Sequence, residues 1–298
     1  MQARLFHLHT LSALHCGAGR SAGVIDLPIA RARATQLPIV PGSSLRGVLR
    51  QLVDKRASDD GETLFGPRTI RSDQVAFAGA LSIGDAHLLA LPVRCLASVV
   101  SFVTCPFILR RHKRDLRRVG TSPPALPNPP DKGSAWVTPA SVNLVETVDE
   151  NDRKRRKLVL EDLDLQAHHD PSLEAWARLI ACAVHPEDDE AQTDVIARFS
   201  LVSDDVMSFL AETATDVRAR IRLDPDTGTV SKGALWYEEH LPAETLLWGV
   251  FALADSNNDG RKADDLARAV PNDELLQLGG NAGVGSGLVR FLTEGTPA

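Results

Sequence analysis

The chain has 298 residues, of which 43% are hydrophobic and 24% charged, and this composition excludes a globally disordered protein. Its four cysteines are widely spaced and include no C-x-x-C pair, which argues against a disulfide framework or a zinc module. The sequence shows neither a secretory signal pattern nor an apolar run long enough to span a membrane. We therefore expect a cytoplasmic protein with no membrane partner.

Charge is unevenly distributed along the chain. Residues 1–120 carry 17 lysines and arginines against 8 carboxylates, whereas residues 121–298 carry 16 against 31. A basic half can bind a polyanion such as a nucleic acid, and the acidic half would then repel it or meet basic neighbours. Solvated surface charge without any partner gives the same asymmetry, so the pattern alone leaves both interpretations open.

Hydropathy patterns predict several strands and helices. Alternating or continuous apolar runs favour strands at residues 4–10, 80–87 and 92–105. Apolar residues at helical spacing favour helices at residues 171–183 and 203–216.

A further helix is predicted directly after the turn at residues 41–44. Ser43 and Ser44 can cap its N-terminus, and the apolar spacing that follows places Arg46 in the first turn and Arg50 one turn later.

The middle of the chain has the composition of exposed structure. Residues 109–118 are strongly basic, residues 121–130 include five prolines, and residues 149–157 are almost entirely charged. Because prolines interrupt both helices and central strands, we expect residues 109–160 to form an exposed and partly mobile insertion.

Two patterns stand out near the C-terminus. Residues 218–237 alternate, turn at a segment rich in Asp, Pro and Gly, and alternate again, which predicts a β-hairpin. After a helix predicted near 261–270, residues 279–287 contain five glycines and lead into a predicted strand at 288–292. Without a Gly-Lys-Ser/Thr sequence or a following helix, this tract is neither a P-loop nor a Rossmann motif, so it is a tight turn or an anion site.

An aspartate-rich segment at residues 255–260 resembles the first half of an EF-hand loop. The bidentate glutamate expected at the twelfth position is replaced by Leu266, so we expect a polar turn there.

Asp26 is a carboxylate within an apolar segment, where an unpaired buried charge is costly. It is expected either to lie exposed at a functional site or to pair with an arginine of the same region, the candidates being Arg31, Arg33, Arg46 and Arg50. His15 lies eleven residues earlier, and a histidine and a carboxylate on neighbouring loops can perform acid–base chemistry or simply form a hydrogen-bonded pair.

The segments at residues 15–19, 24–29 and 37–47 together resemble the RAMP superfamily of CRISPR-associated proteins, and in particular the backbone subunit of type III-B (Cmr) effector complexes. Further segments that match lie at residues 64–66, 85–89, 92–94, 104–106, 220–222, 233–239 and 280–288.

The resemblance implies an α+β fold, namely a ferredoxin-like, RRM-type palm with large insertions and a β-hairpin thumb. One RAMP domain would span residues 1–298, with an insertion subdomain at 107–200 and the thumb at 218–237. Several copies would stack as a helical filament along a guide crRNA, together with other CRISPR effector subunits.

The activity implied by the resemblance is endonucleolytic cleavage of complementary target RNA at regular intervals. Asp26 matches the residue that carries this cleavage, and His15 matches one that assists it. A weakly held Mg²⁺ or Mn²⁺ at Asp26 and a 2′,3′-cyclic phosphate product are also implied. Recognition of a guide through its backbone, with sequence left to base pairing, would suit the basic half of the chain.

The predicted RNA contacts follow from the same resemblance and from the chemistry of the helix start, which can bind phosphate through hydroxyl, N–H and guanidinium groups. The residues assigned to RNA binding are Ser43, Ser44, Arg46, Arg50, Arg220, Arg222, Tyr237, Glu238, Gly280, Gly283, Gly285 and Gly287. Glu239 matches the region close to the scissile phosphate. The chain departs from many relatives at Ser286, where they carry arginine.

Two other functions compete with this prediction. One is a scaffold subunit that coats guide RNA without cutting, against which the retained Asp26 argues. The other is a monomeric nuclease that processes repeat RNA, although such enzymes usually depend on a histidine-led site and lack the Asp-Leu-Pro-Ile segment.

Overall fold

A computed structural model describes residues 1–19, 25–56, 58–69, 77–148, 154–257 and 259–293. The strands in these ranges are β1 (Gln2–Thr10), β2 (Ile39–Val40), β3 (Leu81–Ile83), β4 (Ala86–Cys95), β5 (Val99–Thr104), β6 (Ser134–Val137), β7 (Leu144–Val148), β8 (Lys154–Leu160), β9 (Leu163–His169), β10 (Phe199–Leu201), β11 (Asp216–Leu223), β12 (Val230–His240), β13 (Leu246–Leu253), β14 (Glu274–Gln277) and β15 (Leu288–Thr293). The α-helices are α1 (Gly42–Arg56), α2 (Ser58–Phe65), α3 (Pro106–Arg118), α4 (Pro171–Val184), α5 (Asp189–Arg198), α6 (Asp204–Thr213) and α7 (Ala263–Ala267).

The centre of the molecule is an antiparallel sheet with the strand order β15-β1-β13-β4. Helix α1 lies between β1 and β4 in the chain, and α7 lies between β13 and β15. Strand β1 is therefore flanked on both sides by strands from the last fifth of the chain. This arrangement brings the two ends of the sequence together next to the loops that follow β1.

Beyond β4 the sheet continues through β5, β10, β6, β9 and β8. Strand β8 then pairs back with β4 at Leu160 and Cys95, so these six strands close on themselves. The fold is thus mixed α and β with a sheet-rich core, in agreement with the predicted class at that level. Residues 149–153, which belong to the predicted insertion, lie outside the described residues.

Both faces of β1 are buried from Leu5 onward. Helices α3 and α4 pack against one of these faces. Leu5 and His7 point to one face and Phe6 and Leu8 to the other, and all four side chains are almost inaccessible to solvent. His112 of α3 stacks edge-on against His7. The central sheet therefore offers no open surface at β1.

The prediction that residues 109–118 are exposed was wrong for one face of α3. Ile108, Leu109, His112 and Leu116 are buried, and the carboxylate of Asp115 accepts a hydrogen bond from Trp248 Nε1 at 3.3 Å. These residues recur at helical spacing, but the cations between them conceal the pattern in the sequence.

The proline-rich segment at residues 121–130 forms neither helix nor strand, as its composition predicts. Helix α5 was not predicted. Its start is capped by Asp188, whose side chain accepts a hydrogen bond from Ala191 N at 2.9 Å. Within the described residues, no helix is both long and apolar enough to cross a membrane.

Candidate active site and RNA interface

The predicted hairpin is present as β11 and β12, which form a two-stranded sheet of their own. The loops that follow β1 bind the opposite edge of β12. Leu27 N donates to Tyr237 O at 3.1 Å and Leu27 O accepts from Glu239 N at 3.0 Å. Leu14 and Leu241 exchange two backbone hydrogen bonds, at 2.8 and 2.9 Å. The base of the hairpin is thus fixed by the segments that carry His15 and Asp26.

Asp26 is exposed and held by one backbone hydrogen bond. Its Oδ2 accepts from Tyr237 N at 2.8 Å, and no lysine or arginine in the described ranges pairs with it. Of the candidate partners, Arg31 binds Glu239 and Arg50 lies near Asp54. The alternative left open by the sequence is therefore decided in favour of an exposed carboxylate.

His15 is almost buried and is oriented by the same strand. Its Nδ1 lies 2.7 Å from Glu239 O, and because a carbonyl oxygen only accepts, Nδ1 carries the proton. Its Nε2 has no hydrogen-bond partner among the described residues and is not fully enclosed. The residues that hold Asp26 and His15, Tyr237 and Glu239, are two apart on β12, or roughly 7 Å along a strand.

Glu239 fastens the loop that contains Asp26. Its buried carboxylate accepts hydrogen bonds from Ile29 N at 3.1 Å and Thr215 Oγ1 at 3.0 Å, and it forms an ion pair with Arg31. Arg31 also donates to Gln36 O at 2.8 Å, so the pair ties two turns of the loop to the hairpin. All of these contacts are within the protein.

Glu238 points to the other face of β12 and is also occupied. It accepts from Arg220 Nε at 3.1 Å, Trp236 Nε1 at 2.8 Å and Asn281 Nδ2 at 2.8 Å. Burial raises the pKa of Glu238, but the hydrogen bonds from Trp236 and Arg220 outweigh it, so the pKa is lowered. The carboxylate is therefore ionised at neutral pH. Its contact with RNA stays a prediction.

His240 was missed by the sequence analysis. It is fully buried with no hydrogen bond to either ring nitrogen among the described residues, although Nε2 lies 3.9 Å from Glu238 Oε2. Its ring centroid lies 5.2 Å from that of His15. Burial, and next the charge of Arg218, lower its pKa, so the ring is neutral at pH 7. The only sequence signal was its position two residues after Glu238, which puts both side chains on one face of the strand.

The glycine-rich loop packs against His15. Gly279 has φ +72°, and a Cβ there would lie 2.2 Å from His15 O. Gly287 has φ +85°, and its Cβ would meet Leu278 O at 2.0 Å. These glycines are needed for the turn itself, and Gly285 faces open space but has φ +81°, so the turn needs it too. Gly283 faces open space with an ordinary φ. Gly280 donates its N–H to His15 O at 2.9 Å.

The residues predicted at the start of α1 lie where expected, but the arginines have protein partners. Ser43 is exposed and Ser44 is half-buried in the first turn. Arg46 donates to Phe65 O and Arg50 to Gly66 O, so both hold the carbonyl end of α2. Whether these groups also contact RNA stays a prediction.

The hairpin strands divide into a polar and an apolar face. Tyr237 lies opposite Ala219 on the apolar face, together with Ile221 and Leu235, which are both more than half exposed. Arg220 and Arg222 lie on the other face, and Arg222 is exposed with no ion-pair partner among the described residues.

A resident metal cage is not built by the protein alone. Among the described residues, no group of three or more His, Cys, Asp or Glu side chains is placed to hold an ion. One oxygen of the exposed Asp26 carboxylate is committed to Tyr237 N, and the other has no protein partner among the described residues. A single free carboxylate oxygen fits a Mg²⁺ ion that takes its remaining ligands from phosphates and water.

The arrangement limits where a nucleic acid can bind. RRM proteins stack bases on an open sheet face, but here β1 is buried on both sides. The accessible groups are instead the Asp26 carboxylate, the Nε2 of His15 and the hairpin. These groups can act as a base or a proton carrier beside a polyanion.

Comparisons with known proteins agree on one family. The model of the RAMP superfamily matches residues 7–290. The CRISPR system Cmr endoribonuclease Cmr4 of Pyrococcus furiosus is 35% identical over 297 residues, which cover 97% of this chain and 95% of that protein.

Solved structures are similar over the whole chain. The crystal structure of oligomeric Cmr4 from Pyrococcus furiosus has a TM-score of 0.75 and 29% identity, and the match covers 100% of each chain. A cryo-EM structure of Type III-B Cmr-beta bound to cognate target RNA has a TM-score of 0.71 at 19% identity, covering 98% of this chain and 97% of that one. The latter similarity shows the fold alone.

Proposed function

The chain belongs to the RAMP superfamily, and on this basis we propose that it is a repeated backbone subunit of a type III-B CRISPR effector complex that cuts target RNA. The observation that carries the proposal is the state of Asp26. Its carboxylate is exposed, unpaired with any described cation and held by the backbone of Tyr237 at the base of the hairpin. A carboxylate that is exposed and has no cationic partner is free to accept a proton from a bound substrate.

We propose that the central strands are a ferredoxin-like palm and that β11 and β12 are the thumb. The order β15-β1-β13-β4, with α1 following the first strand and α7 following the third, is the arrangement of a β-α-β-β-α-β unit. The hairpin carries an exposed apolar face with Ile221 and Leu235, which suits contact with unstacked bases.

The proposed reaction is transesterification within the RNA strand. The 2′-oxygen of one ribose attacks the adjacent phosphorus, the bond from phosphorus to the 5′-oxygen breaks, and a cyclic phosphate and a 5′-hydroxyl result. Asp26 accepts the proton of the 2′-hydroxyl, with His15 Nε2 as a secondary acceptor, and the departing 5′-oxygen takes its proton from solvent water. Holding the attacking oxygen in line with the leaving oxygen accounts for much of the rate.

Asp26 would also hold a divalent ion, which when bound stabilises negative charge on the phosphate. Groups of the chain itself orient Asp26 and His15. Tyr237 N fixes the direction of the Asp26 carboxylate, and Glu239 O fixes the tautomer of His15.

The partners we propose are guide crRNA, target RNA, further copies of this chain and other effector subunits. Support comes from the names of similar proteins, one an oligomeric Cmr4 and another a Cmr-beta complex with target RNA. The basic balance of residues 1–120 provides affinity for phosphates that does not depend on sequence.

The test is the variant Asp26→Asn in a complex reconstituted with guide RNA. Loss of a catalytic base lowers rates by about 10²–10⁴-fold, so cutting of a matched target should fall by this factor. Binding of guide and target should be unchanged, because the amide oxygen still accepts from Tyr237 N. Single-turnover cleavage and filter binding measure the two effects.

Asp216→Asn is a suitable control, since this carboxylate pairs with Arg218 at 2.9 Å on the hairpin. Cutting at the usual spacing by Asp26→Asn would contradict the proposal. An uncut matched target with the natural chain and added Mn²⁺ would instead support a scaffold that only coats guide RNA.

A further inference from the structure

Helix α3 carries a row of cations on its outer side. Lys113, Arg114, Arg117 and Arg118 lie three, four, seven and eight residues after Arg110, so the five cations form one stripe of the helix. We call these five residues the basic face of α3.

The basic face has few neighbouring carboxylates, and one of them, Asp204, pairs with Arg110 at 3.1 Å. Asp115 is the one carboxylate of the helix, and it is buried, where it serves Trp248 Nε1. It also lies 3.0 Å from Arg114 Nε and 3.7 Å from Arg118 Nη1, so two arginines share it. Lys113 and Arg117 have no ion-pair partner among the described residues.

This arrangement destabilises the free helix. Three pairs of like charge are four residues apart, and each such pair is unfavourable on a helix: Arg110 with Arg114, Lys113 with Arg117, and Arg114 with Arg118. The last turn gains some compensation from the helix dipole, but Arg110 and Lys113 lie too far from the C-terminus to gain from it. A bound polyanion would remove the repulsion along the whole stripe.

The helix adjoins the loop that continues from Asp26. Leu37 and Ile39 of that loop and Ile108 and Arg111 of α3 line one small cleft. Arg111 is fixed at its rim, with Nη2 2.7 Å from His87 Nε2. Helix α3 therefore borders a segment that begins six residues after Asp26 in the chain.

We propose that the basic face of α3 binds the phosphodiester backbone of the RNA strand beyond the cut position. The inference rests on the proposed function, since it places the same RNA on a second surface. Four of the five cations are arginines, whose planar guanidinium groups match phosphate oxygens in pairs. The contact carries no sequence information and adds affinity only.

The test uses the full chain with Lys113 and Arg117 both changed to Ala, and a fluorescent oligouridylate as the probe. Anisotropy titrations over a series of KCl concentrations give the affinity and its dependence on salt. Each phosphate neutralised on a single strand contributes roughly 0.7 to the log–log slope, so the double variant should lose roughly 1.4.

The matched control is Arg178→Ala with Arg268→Ala, which removes the same charge from two exposed side chains, one in α4 and one directly after α7. Its slope should equal that of the natural chain. The Lys113 and Arg117 variant should also melt no lower than the natural chain without RNA, because a like-charge pair has been removed. If Lys113 and Arg117 served only to stabilise the fold, the double variant would melt at a lower temperature than the natural chain.

Three outcomes would overturn the inference. They are an unchanged slope in the double variant, no binding of the probe by the natural chain at low salt, and loss of self-association with unchanged RNA affinity, which would make α3 a contact between copies. Asp26→Asn is measured in parallel and should bind the probe normally. If Asp26→Asn still cuts the target, the proposed function is rejected, but the salt dependence measured for the α3 variant can still be interpreted.

Discussion

Glu238 and Glu239 are adjacent in the chain, yet their carboxylates make contacts on opposite faces of β12. The Glu239 carboxylate forms an ion pair with Arg31 and accepts a hydrogen bond from the backbone of the loop that holds Asp26. The Glu238 carboxylate accepts hydrogen bonds from Arg220 and from Asn281 of the glycine-rich loop. Two like charges side by side are tolerated because each has its own cation. Both glutamates are thus held by protein groups, and the RNA contact predicted for Glu238 is still untested.

Substitution of Glu239 tests this positioning role. Glu239→Gln keeps one acceptor oxygen, which can serve either Ile29 N or Thr215 Oγ1, and leaves Arg31 without a counter-charge, whereas Glu239→Ala removes both oxygens. We expect Glu239→Ala to lower the free energy of unfolding by about 3 kcal/mol, and Glu239→Gln by less. Urea titrations measure these losses.

Cleavage separates positioning from simple instability. For Glu239→Gln we expect a slower single-turnover rate at saturating target with unchanged target affinity, because the Asp26 loop is less firmly held. Glu212→Gln, at an exposed position at the end of α6, makes the same chemical change and should alter neither quantity. If Glu239→Gln cleaves at the same rate as the natural chain, the ion pair does not position Asp26.

The sequence identified the candidate residues but not their geometry. Asp26 was expected either in an arginine pair or exposed, and the choice depends on Tyr237 N, which is 211 residues away in the chain. His240 was not identified because a single histidine in an alternating strand has no local signature. Contacts of this separation are set by the packing of the hairpin and not by any local pattern.

At the level of elements, the glycine-rich loop shows why an isolated motif misleads. Five glycines suggested either a tight turn or an anion site, and the structure gives different answers along the loop. Gly279 and Gly287 adopt positive φ where a side chain would collide with backbone, whereas Gly283 and Gly285 face open space. Gly279, Gly285 and Gly287 have positive φ and are therefore required by the turn, whereas Gly283 is not. An anion contact of this loop stays a prediction.

The two types of glycine can be separated by alanine substitution. Gly279→Ala places a Cβ against His15 O at a positive φ, and we expect it to lower the free energy of unfolding by about 1–3 kcal/mol. Gly283→Ala meets nothing within 4 Å and has an ordinary φ, so its effect should be small. Thermal unfolding of the two variants side by side measures the difference.

The same two variants test whether the glycine-rich loop supports His15. Because Gly279→Ala presses on the backbone of His15, cutting should slow at temperatures where the variant is still folded. Equal stability of the two variants would mean that the loop rearranges freely and does not support the histidine.

At the scale of the whole molecule, the sequence predicted strands but not their order. β1, β11, β12 and β15 lie close to their predicted positions, because each has a clear hydropathy pattern. The runs predicted at residues 80–87 and 92–105 instead form three strands, of which β4 spans the gap between the two runs. The pairing of β1 with both β13 and β15 joins segments more than 230 residues apart, and no local sequence pattern predicts it. Only the family resemblance indicated such an arrangement.

The resemblance left one large feature unanticipated. A layer of histidines lies between the central sheet and α3, with His7 and His112 in edge-on contact and His87 beside Trp248. Burial lowers the pKa of His7 to about 4, burial and then Arg111 lower that of His87 to about 4, and burial lowers that of His112 well below its ordinary value. All three rings are neutral in the folded chain at pH 7.

These histidines make the stability of the fold depend on pH. Between pH 6.5 and about 4 the unfolded chain takes up protons on His7, His87 and His112 while the folded chain does not, so unfolding becomes easier as the pH falls. Each histidine contributes up to about 1.4 kcal/mol per pH unit in this window. The free energy of unfolding from urea titrations should therefore be clearly lower at pH 5 than at pH 7.

One variant isolates the contribution of this layer. His112→Leu removes a ring whose two nitrogens have no partner among the described residues, so it should not destabilise the fold strongly at pH 7. It should reduce the loss of stability between pH 7 and pH 5, because one proton fewer is taken up on unfolding. His168→Leu changes an exposed ring and should leave that loss unchanged. Equal losses in the natural chain and His112→Leu would mean that the buried ring is protonated in the folded state.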